Sequence, residues 1–457
     1  MQSNGTTQSV GRTDRRWLTL IALCAGVLIA QIDTSVVNLG VRSIGIYFSA
    51  SVAELQWVVD SYNLTYAVFL LTGGLLADLL GRKTIFMVGV AIFTTASLIC
   101  AFAPSIPLLI SGRALAGVGA ALLMPASLSI LRVVWPDQAE RGRVLGVWAA
   151  CNGLALAIGP TLGGLLIGQF GWRSIFLVVV PLGFVAFVLA ARTMKESSDP
   201  GGRHFDAPGQ ILGAIALGNL AFAAIEAREA ILNAIVGLTV FLLALAGFIT
   251  VEAKKGATAL VPLDMFRIRP FRGAMVATVG MTFGMYGVLF LLPLTWLSTG
   301  MLNLVGAGVA LMPMALVFAF VSPFSGGLGR KFGVHCLITC GVALIGSGLF
   351  VLSASAGESI MTAEIGLILT GLGMGLATGP LAGLSVGSVS VARSGTAAAL
   401  FNVARMAGAV IGVAVLGAVF AVAHDPVTGL RISMLLGGLV QLICAIVAWE
   451  ATRPLTG

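Results

Sequence analysis

The chain reads as an all-α polytopic membrane protein of 14 transmembrane helices: two six-helix bundles plus an inserted two-helix hairpin. Three observations lead there. Of 457 residues, 58% are hydrophobic and only 10% are charged, against roughly 25% charged in a soluble domain. Fourteen stretches approach the ~20 mostly apolar residues that a bilayer-spanning helix needs. A polar turn, Gly73-Gly-Leu-Leu-Ala-Asp-Leu-Leu-Gly-Arg-Lys83, follows the second stretch, and an altered echo, Gly326-Gly-Leu-Gly-Arg-Lys-Phe-Gly333, follows the tenth. A hinge repeated once in each half of an apolar chain suggests two related bundles, which commonly move against each other to carry something across a membrane.

The first six spans cover 17–41, 55–77, 84–103, 107–131, 144–168 and 173–191. Two more cover 209–226 and 231–251, and the last six cover 272–297, 304–328, 334–356, 359–386, 395–423 and 431–451. The two hinges are eight spans apart, where a six-span repeat would place them six apart. Spans seven and eight therefore read as an insertion, bracketed by the polar stretches Lys195–Asp206 and Glu252–Arg272. The expected organisation is a tail at 1–16, a bundle at 17–192, a linker at 193–207, a hairpin at 208–252, a linker at 253–270 and a second bundle at 271–452.

Charge orients these spans. Of 26 Lys and Arg residues, 20 fall in the tails and the loops on one side, and four (Arg42, Arg173, Arg228, Arg431) on the other. Basic residues favour the cytoplasmic side, so both termini are expected in the cytoplasm. The net charge of +8 is spread over alternate loops. It is a topology signal and not a nucleic-acid patch, and the expected surroundings are a lipid bilayer. Arg12, Arg15 and Arg16 before an apolar run mimic a signal peptide, but no small-x-small site follows, and the segment reads as an uncleaved first helix.

Several chemistries are disfavoured. Six cysteines lie in or at the ends of apolar stretches without a CxxC pair, so neither a disulfide framework nor a metal site is expected. Gly383-Leu-Ser-Val-Gly387 fits a hydrolase elbow in spelling only, with no strand before it, and His204, His335 and His424 lie in loops or at span ends. No Walker A sequence occurs. The chain is read as a non-enzyme that needs no cofactor.

The remaining candidates are polar residues within spans, where ionisable groups are costly and function is the default expectation. Asp33 lies in span one, about eight residues or ~12 Å from the outer end of its helix. Arg113 lies in span four at a similar depth, among small residues that let helices approach closely. A guanidinium stays charged, so it can set the proton affinity of a nearby carboxylate; the structural alternative is a static ion pair. Asp60, after Trp57 in span two, is a candidate for substrate or proton binding. Arg405 lies near mid-membrane in span thirteen with no acidic residue of its half at that depth; it faces a wet cavity or pairs across the halves. The aromatics Trp57, Tyr66, Phe283, Tyr286 and Phe290 could line an apolar cavity or simply pack. In span five, Gly159 and Gly163 form a GxxxG packing face, Pro160 bends the helix and Gly164 follows, an arrangement suited to sealing a leak path between halves. In the hinge, Asp78 could meet the positive end of a neighbouring helix after the Gly81 turn, with Arg82 and Lys83 reaching headgroups or other loops.

Together these residues resemble the major facilitator superfamily, in particular its fourteen-spanner drug:proton antiporter branch, over roughly residues 17–452. Ala77-Asp78-x-x-Gly81-Arg82-Lys83 looks like the family's loop signature, and Arg113 with Gly117 like its fourth-helix motif. Gly159-Pro160-x-x-Gly163-Gly164 is similar to the fifth-helix motif of antiporters, and Asp33-Thr-Ser-Val-Val-Asn38 to the branch's first-helix motif. Gln56-Trp-Val-Val-Asp60-x-Tyr62 also matches. The second loop signature departs, with Arg330 at the acidic position. The resemblance implies a bacterial inner-membrane antiporter that exports small amphipathic compounds, cationic ones included, in exchange for protons, of the kind that confers antibiotic resistance. Asp33 and Arg113 would couple to protons. A dedicated exporter of one metabolite or antibiotic, a proton symporter, and a non-transporting sensor or scaffold are the rival readings.

Overall fold

The computed structural model describes residues 6–198, 206–226, 230–256, 259, 261–389 and 393–453. The start of the N-terminal tail, the linker around His204 and the turn holding Arg228 lie outside the described residues. Within them there are helices and connecting turns, and no strand.

The first half comprises α1 (Thr6–Phe48), α2 (Val52–Leu80), α3 (Arg82–Ala101), α4 (Ile106–Val134), α5 (Gln138–Phe170), α6 (Ser174–Leu177) and α7 (Val179–Thr193). α6 and α7 are one span, interrupted at Val178. A hairpin of α8 (Ala207–Glu226) and α9 (Ile231–Lys255) follows. The second half comprises α10 (Arg269–Thr299), α11 (Leu304–Phe332), α12 (Val334–Ala354), α13 (Ile360–Gly387), α14 (Ser394–Val422) and α15 (Pro426–Thr452). Among the described residues, thirteen spans are long and apolar enough to cross a membrane. The fourteenth, expected at 144–168, is carried by α5, in which Ile158–Phe170 is apolar among the described residues.

The helix starts carry their own local signals. Ser51 and Glu54 form a reciprocal capping box at α2, which satisfies two of the backbone donors that a helix start leaves open. Asn303 caps Gly306 at α11, and Asp425 caps Val427 and Thr428 at α15. Several helices overrun the apolar stretches that announce them, α1 most of all. Lipid requires apolar residues only across its hydrocarbon layer, while the helix continues until a turn residue stops it.

The hinge and its echo form the same turn. Gly81 has φ +110° between α2 and α3, and Gly333 has φ +91° between α11 and α12. Both values are left-handed and suited to glycine. Counting back from these glycines, Arg330 takes the place of Asp78. The Arg330-Lys331 pair therefore lies in the last turn of α11, whereas Arg82 and Lys83 open α3.

In the first half, α4 packs on α2 and α3, and α1 packs on α5 and α7. In the second, α13 packs on α11 and α12, and α10 packs on α14 and α15. The halves meet along two seams, α5 against α11 and α2 against α14, with α1 facing α10 between them. α1 and α10 are the most enclosed of these thirteen spans, with 78% and 89% of an 18-residue apolar stretch buried. In α9 only 11% of such a stretch is buried. It packs on α8 and turns Leu232, Ile235, Leu242 and Leu243 outward. α8 in turn lies against both α2 and α14, covering one seam from outside. Its attachment to α2 is polar: Gln210 donates to the Val68 carbonyl and accepts from Thr72 Oγ1 at 2.5 Å.

Candidate functional site

Asp33 and Arg113 meet inside the first bundle. Arg113 Nη1 lies 2.5 Å from Asp33 Oδ2. Arg113 Nε also donates to the Val58 carbonyl at 3.0 Å, and the guanidinium stacks 4.6 Å from the Tyr62 ring centroid. One side chain of α4 thus joins α1 and α2. Both partners are almost fully buried. Charges removed from water require close pairing and further hydrogen bonds, and here the guanidinium has them. The carboxylate is less complete: Asp33 Oδ1 has no hydrogen-bond partner among the described residues. The pair can hold together, and one oxygen stays available to a proton.

Asp60 occupies a different surface. Its α2 neighbours one turn away on either side, Trp57 and Leu64, pack with Ala53, with Ala221 and Ile225 of the hairpin, and with Val410 and Ala414 of α14. By helical spacing Asp60 shares that face. It is wholly buried, and neither carboxylate oxygen has a hydrogen-bond partner among the described residues. Trp57 goes with it and away from the other aromatics.

Tyr66, Tyr286 and Arg405 converge where the bundles meet. Arg405 is half-buried on α14; its Nη1 lies 3.5 Å from Asn402 Oδ1, and its Nε is buried without a hydrogen-bond partner among the described residues. Beside it, Tyr66 on α2 packs in one cluster with Val403 and Met406 of α14, and Tyr286 on α10 in another with Phe401 and Ala404. Phe283 and Phe290 belong with Tyr286 to the larger core, and Phe290 is completely enclosed there.

The α5 motif lies between two helices. A Cβ on Gly159 would collide with Ser35 Oγ, and one on Gly163 would fall 2.7 Å from Val36, both on α1. Gly164 faces the other way, where a Cβ would fall 2.6 Å from the Leu304 carbonyl oxygen on α11. Pro160 also meets α11, at Gly308. The motif sets α5 close to the Asp33 helix on one side and to the opposite bundle on the other.

At the Gly81 turn, Arg82 binds Asp78 through Nη2 at 2.9 Å and Nε at 3.2 Å. Lys83 Nζ donates to the Ala191 carbonyl at 2.9 Å. The carboxylate at the start of α3 is that of Glu196, which accepts from the backbone of Lys83 and Thr84 at 3.0 Å each and from Thr84 Oγ1. Burial raises the Glu196 carboxyl, but the hydrogen bonds from Thr84, Ser197 and Lys83 outweigh it and hold the group below its ordinary range. No local signal in the sequence marks Glu196, because its contacts with Lys83 and Thr84 come from more than 100 positions away. Gln56 stands in the sequence only as part of a pattern, yet its amide bridges α2 and α14.

Two six-helix bundles meeting along paired seams around buried charges define a polytopic membrane transporter. The chain belongs to the Major Facilitator Superfamily, whose model matches residues 23–413. It is 34% identical over 407 residues to the multidrug resistance protein Stp of Mycobacterium tuberculosis, covering 88% of this chain and 76% of that one. It is 32% identical to the methylenomycin A resistance protein of Bacillus subtilis, covering 94% and 93%. The multidrug efflux pump LfrA of Mycolicibacterium smegmatis is 30% identical, covering 91% and 83%. Among solved structures, the bacterial homologue of the human lysosomal transporter Spinster, inward-facing and unoccupied, superposes with a TM-score of 0.69 at 18% identity over 96% of this chain and 97% of that one. The peptide transporter PepTSo gives 0.71 at 15% identity, covering 95% and 97%. At these identities the structures bear on the fold alone.

Proposed function

We propose that this chain is a proton-coupled antiporter that exports small amphipathic compounds, cationic ones included, across the bacterial cytoplasmic membrane by alternating access. The relatives named as multidrug and antibiotic resistance proteins support export, and their bacterial sources support that membrane. The excess of Lys and Arg on one side supports cytoplasmic termini. The bundles would be bounded at 17–192 and 271–452, with the hairpin at 208–252.

The observation that carries the proton coupling is the buried Asp33–Arg113 pair, in which one carboxylate oxygen has no hydrogen-bond partner among the described residues. Protonation of Asp33 removes its charge and leaves Arg113 buried without a counter-charge, a strongly unfavourable state. The bundle responds by rearranging, or by admitting water or substrate to the guanidinium. Deprotonation restores the pair. One proton charge crossing the membrane supplies ~2.3 kcal/mol per 100 mV, enough for modest concentration of substrate. Tyr66, Tyr286 and Arg405 form the polar contact surface for substrate between the bundles, with Phe283 behind them. A cationic substrate avoids Arg405 and stacks on the tyrosines. A dedicated antibiotic exporter is the second reading, favoured by the methylenomycin A resistance relative, which is matched over nearly its whole length.

Accumulation of a fluorescent cation in cells, with and without an uncoupler, tests the proposal. Expression should lower accumulation, and the uncoupler should abolish the difference. Export that persists without the proton gradient would reject the coupling.

A further inference from the structure

Gln56 lies near the start of α2 and is buried. Its Nε2 donates to the carbonyl oxygens of Val413 and Ala414 on α14, both at 3.1 Å. The two helices belong to different bundles, so this amide is a hydrogen-bonded bridge between the moving halves. α14 is shaped to receive it: a Cβ on Gly417 would collide with Gln56 Nε2. The close approaches of Gly164 to Leu304 and of Gly308 to Pro160 join the second seam at the same end, away from the Gly81 turn. One turn further along α2, in the same seam, lies Asp60, whose carboxylate has no hydrogen-bond partner among the described residues. Ala221 and Ile225 on α8 close the seam from outside.

We propose that Gln56 is a clasp that keeps one end of the transport path shut by tying α2 to α14, and that opening this end requires both hydrogen bonds to break and exposes Asp60 to water. The proposal deepens the transport reading and rests on its relative movement of two bundles. An amide suits the task. Neutral hydrogen bonds bias an equilibrium between two states several-fold, yet are weak enough to break in each cycle. When the seam opens, water replaces the two carbonyls without leaving a bare charge behind. Asp60 obeys the opposite logic. A carboxylate without a partner is costly in the closed seam, so its ionised form favours the open one. Gln56 is a positioning residue and need not touch substrate.

The test uses the full-length chain with its six cysteines replaced and one reporter, Val410→Cys, placed in the buried seam. A membrane-impermeant maleimide is applied to intact cells and, separately, to inside-out vesicles. Gln56→Met keeps the volume and removes the donor, while Gly417→Ala displaces the amide from the opposite helix. Each should raise reporter labelling from one face, that opposite the Gly81 turn, on the order of fivefold. The two together should do no more than the larger single effect, because both remove one bridge. Unchanged labelling in either variant would overturn the clasp. So would a rise from both faces with a lowered unfolding temperature, since that marks general loosening. Failure here, with uncoupler-sensitive export intact, rejects the clasp alone; loss of the uncoupler effect, with the labelling pattern retained, rejects proton coupling alone.

Discussion

Arg113 reaches from α4 to Asp33 on α1, with Nη1 2.5 Å from Oδ2, and at the same time holds the Val58 carbonyl on α2. The charge pair is therefore also a three-helix joint. Its two members should fail differently when replaced. Asp33→Asn keeps the shape, removes the titratable group and should reduce proton-driven efflux to background while expression stays normal. Sealed vesicles with an imposed pH gradient measure this, and transport against a substrate gradient by the variant would refute the proton site.

Arg113→Ala should be the more damaging change, because it leaves a buried carboxylate alone and undoes the joint. Breaking a buried pair in this way costs about 3–5 kcal/mol. A fall in detergent-solubilised unfolding temperature together with loss of efflux is expected. Arg113→Lys should recover part of the activity, since lysine keeps the charge but cannot hold Asp33 and Val58 with one planar fork. Full activity of the Ala variant would remove Arg113 from the mechanism.

Gly163→Leu places a side chain where a Cβ already comes within 2.7 Å of Val36 on α1. The α1–α5 contact must open, and with it the wall beside Asp33. Proton leak into liposomes without substrate should rise, or transport should be lost outright. Wild-type tightness together with wild-type efflux would sink the sealing role of α5.

Glu196 makes the attachment of the linker to α3 pH-dependent. Its folded pKa lies below the unfolded value, so its contribution is fully present above the unfolded carboxylate range and is lost as pH falls through the depressed folded value. The protection of the Lys83 and Thr84 amides, taken relative to the intrinsic exchange rate at each pH, should be high at neutral pH and fall in acid. Glu196→Gln should make exchange fast at neutral pH and flatten the dependence; an unaltered profile would show that the cap contributes nothing.

The hairpin should stay outside the transport chemistry. Leu232, Ile235, Leu242 and Leu243 form the outward face of α9. Single cysteines placed at these four positions should react with lipid-soluble probes at rates that substrate does not change. Protection by substrate at several of them would place the hairpin inside the pathway.

Much of the fold was legible in the chain. All fourteen spans announce themselves as apolar runs, because the bilayer core demands about 20 such residues whatever they pack against. The insertion was legible from the spacing of two hinges. The Asp33–Arg113 pair was only half legible: each residue is conspicuous as a charge in an apolar span, and their depths match, but Arg405 is equally conspicuous and lies elsewhere. Asp78 and Arg82 pair four residues apart across the Gly81 turn, a short-range contact, whereas the contacts of Glu196 with Lys83 and Thr84 cross more than 100 positions and leave no local trace.

The sequence by itself determined that this is a membrane protein of two repeated bundles, which residues are too costly in lipid to be incidental, and where the turns fall. Composition, periodicity and glycine placement are properties of the chain alone, and lipid reads them directly. Only the tertiary structure decided which helix each polar face meets. It joined Arg113 to Asp33 and Val58, set Asp60 in the seam beneath α8, and aimed the Gln56 amide at two carbonyls of α14. Helical spacing says which residues share a face, but the neighbour across that face depends on how all the helices pack at once, and that is settled by close contacts between segments from 55 to 358 residues apart.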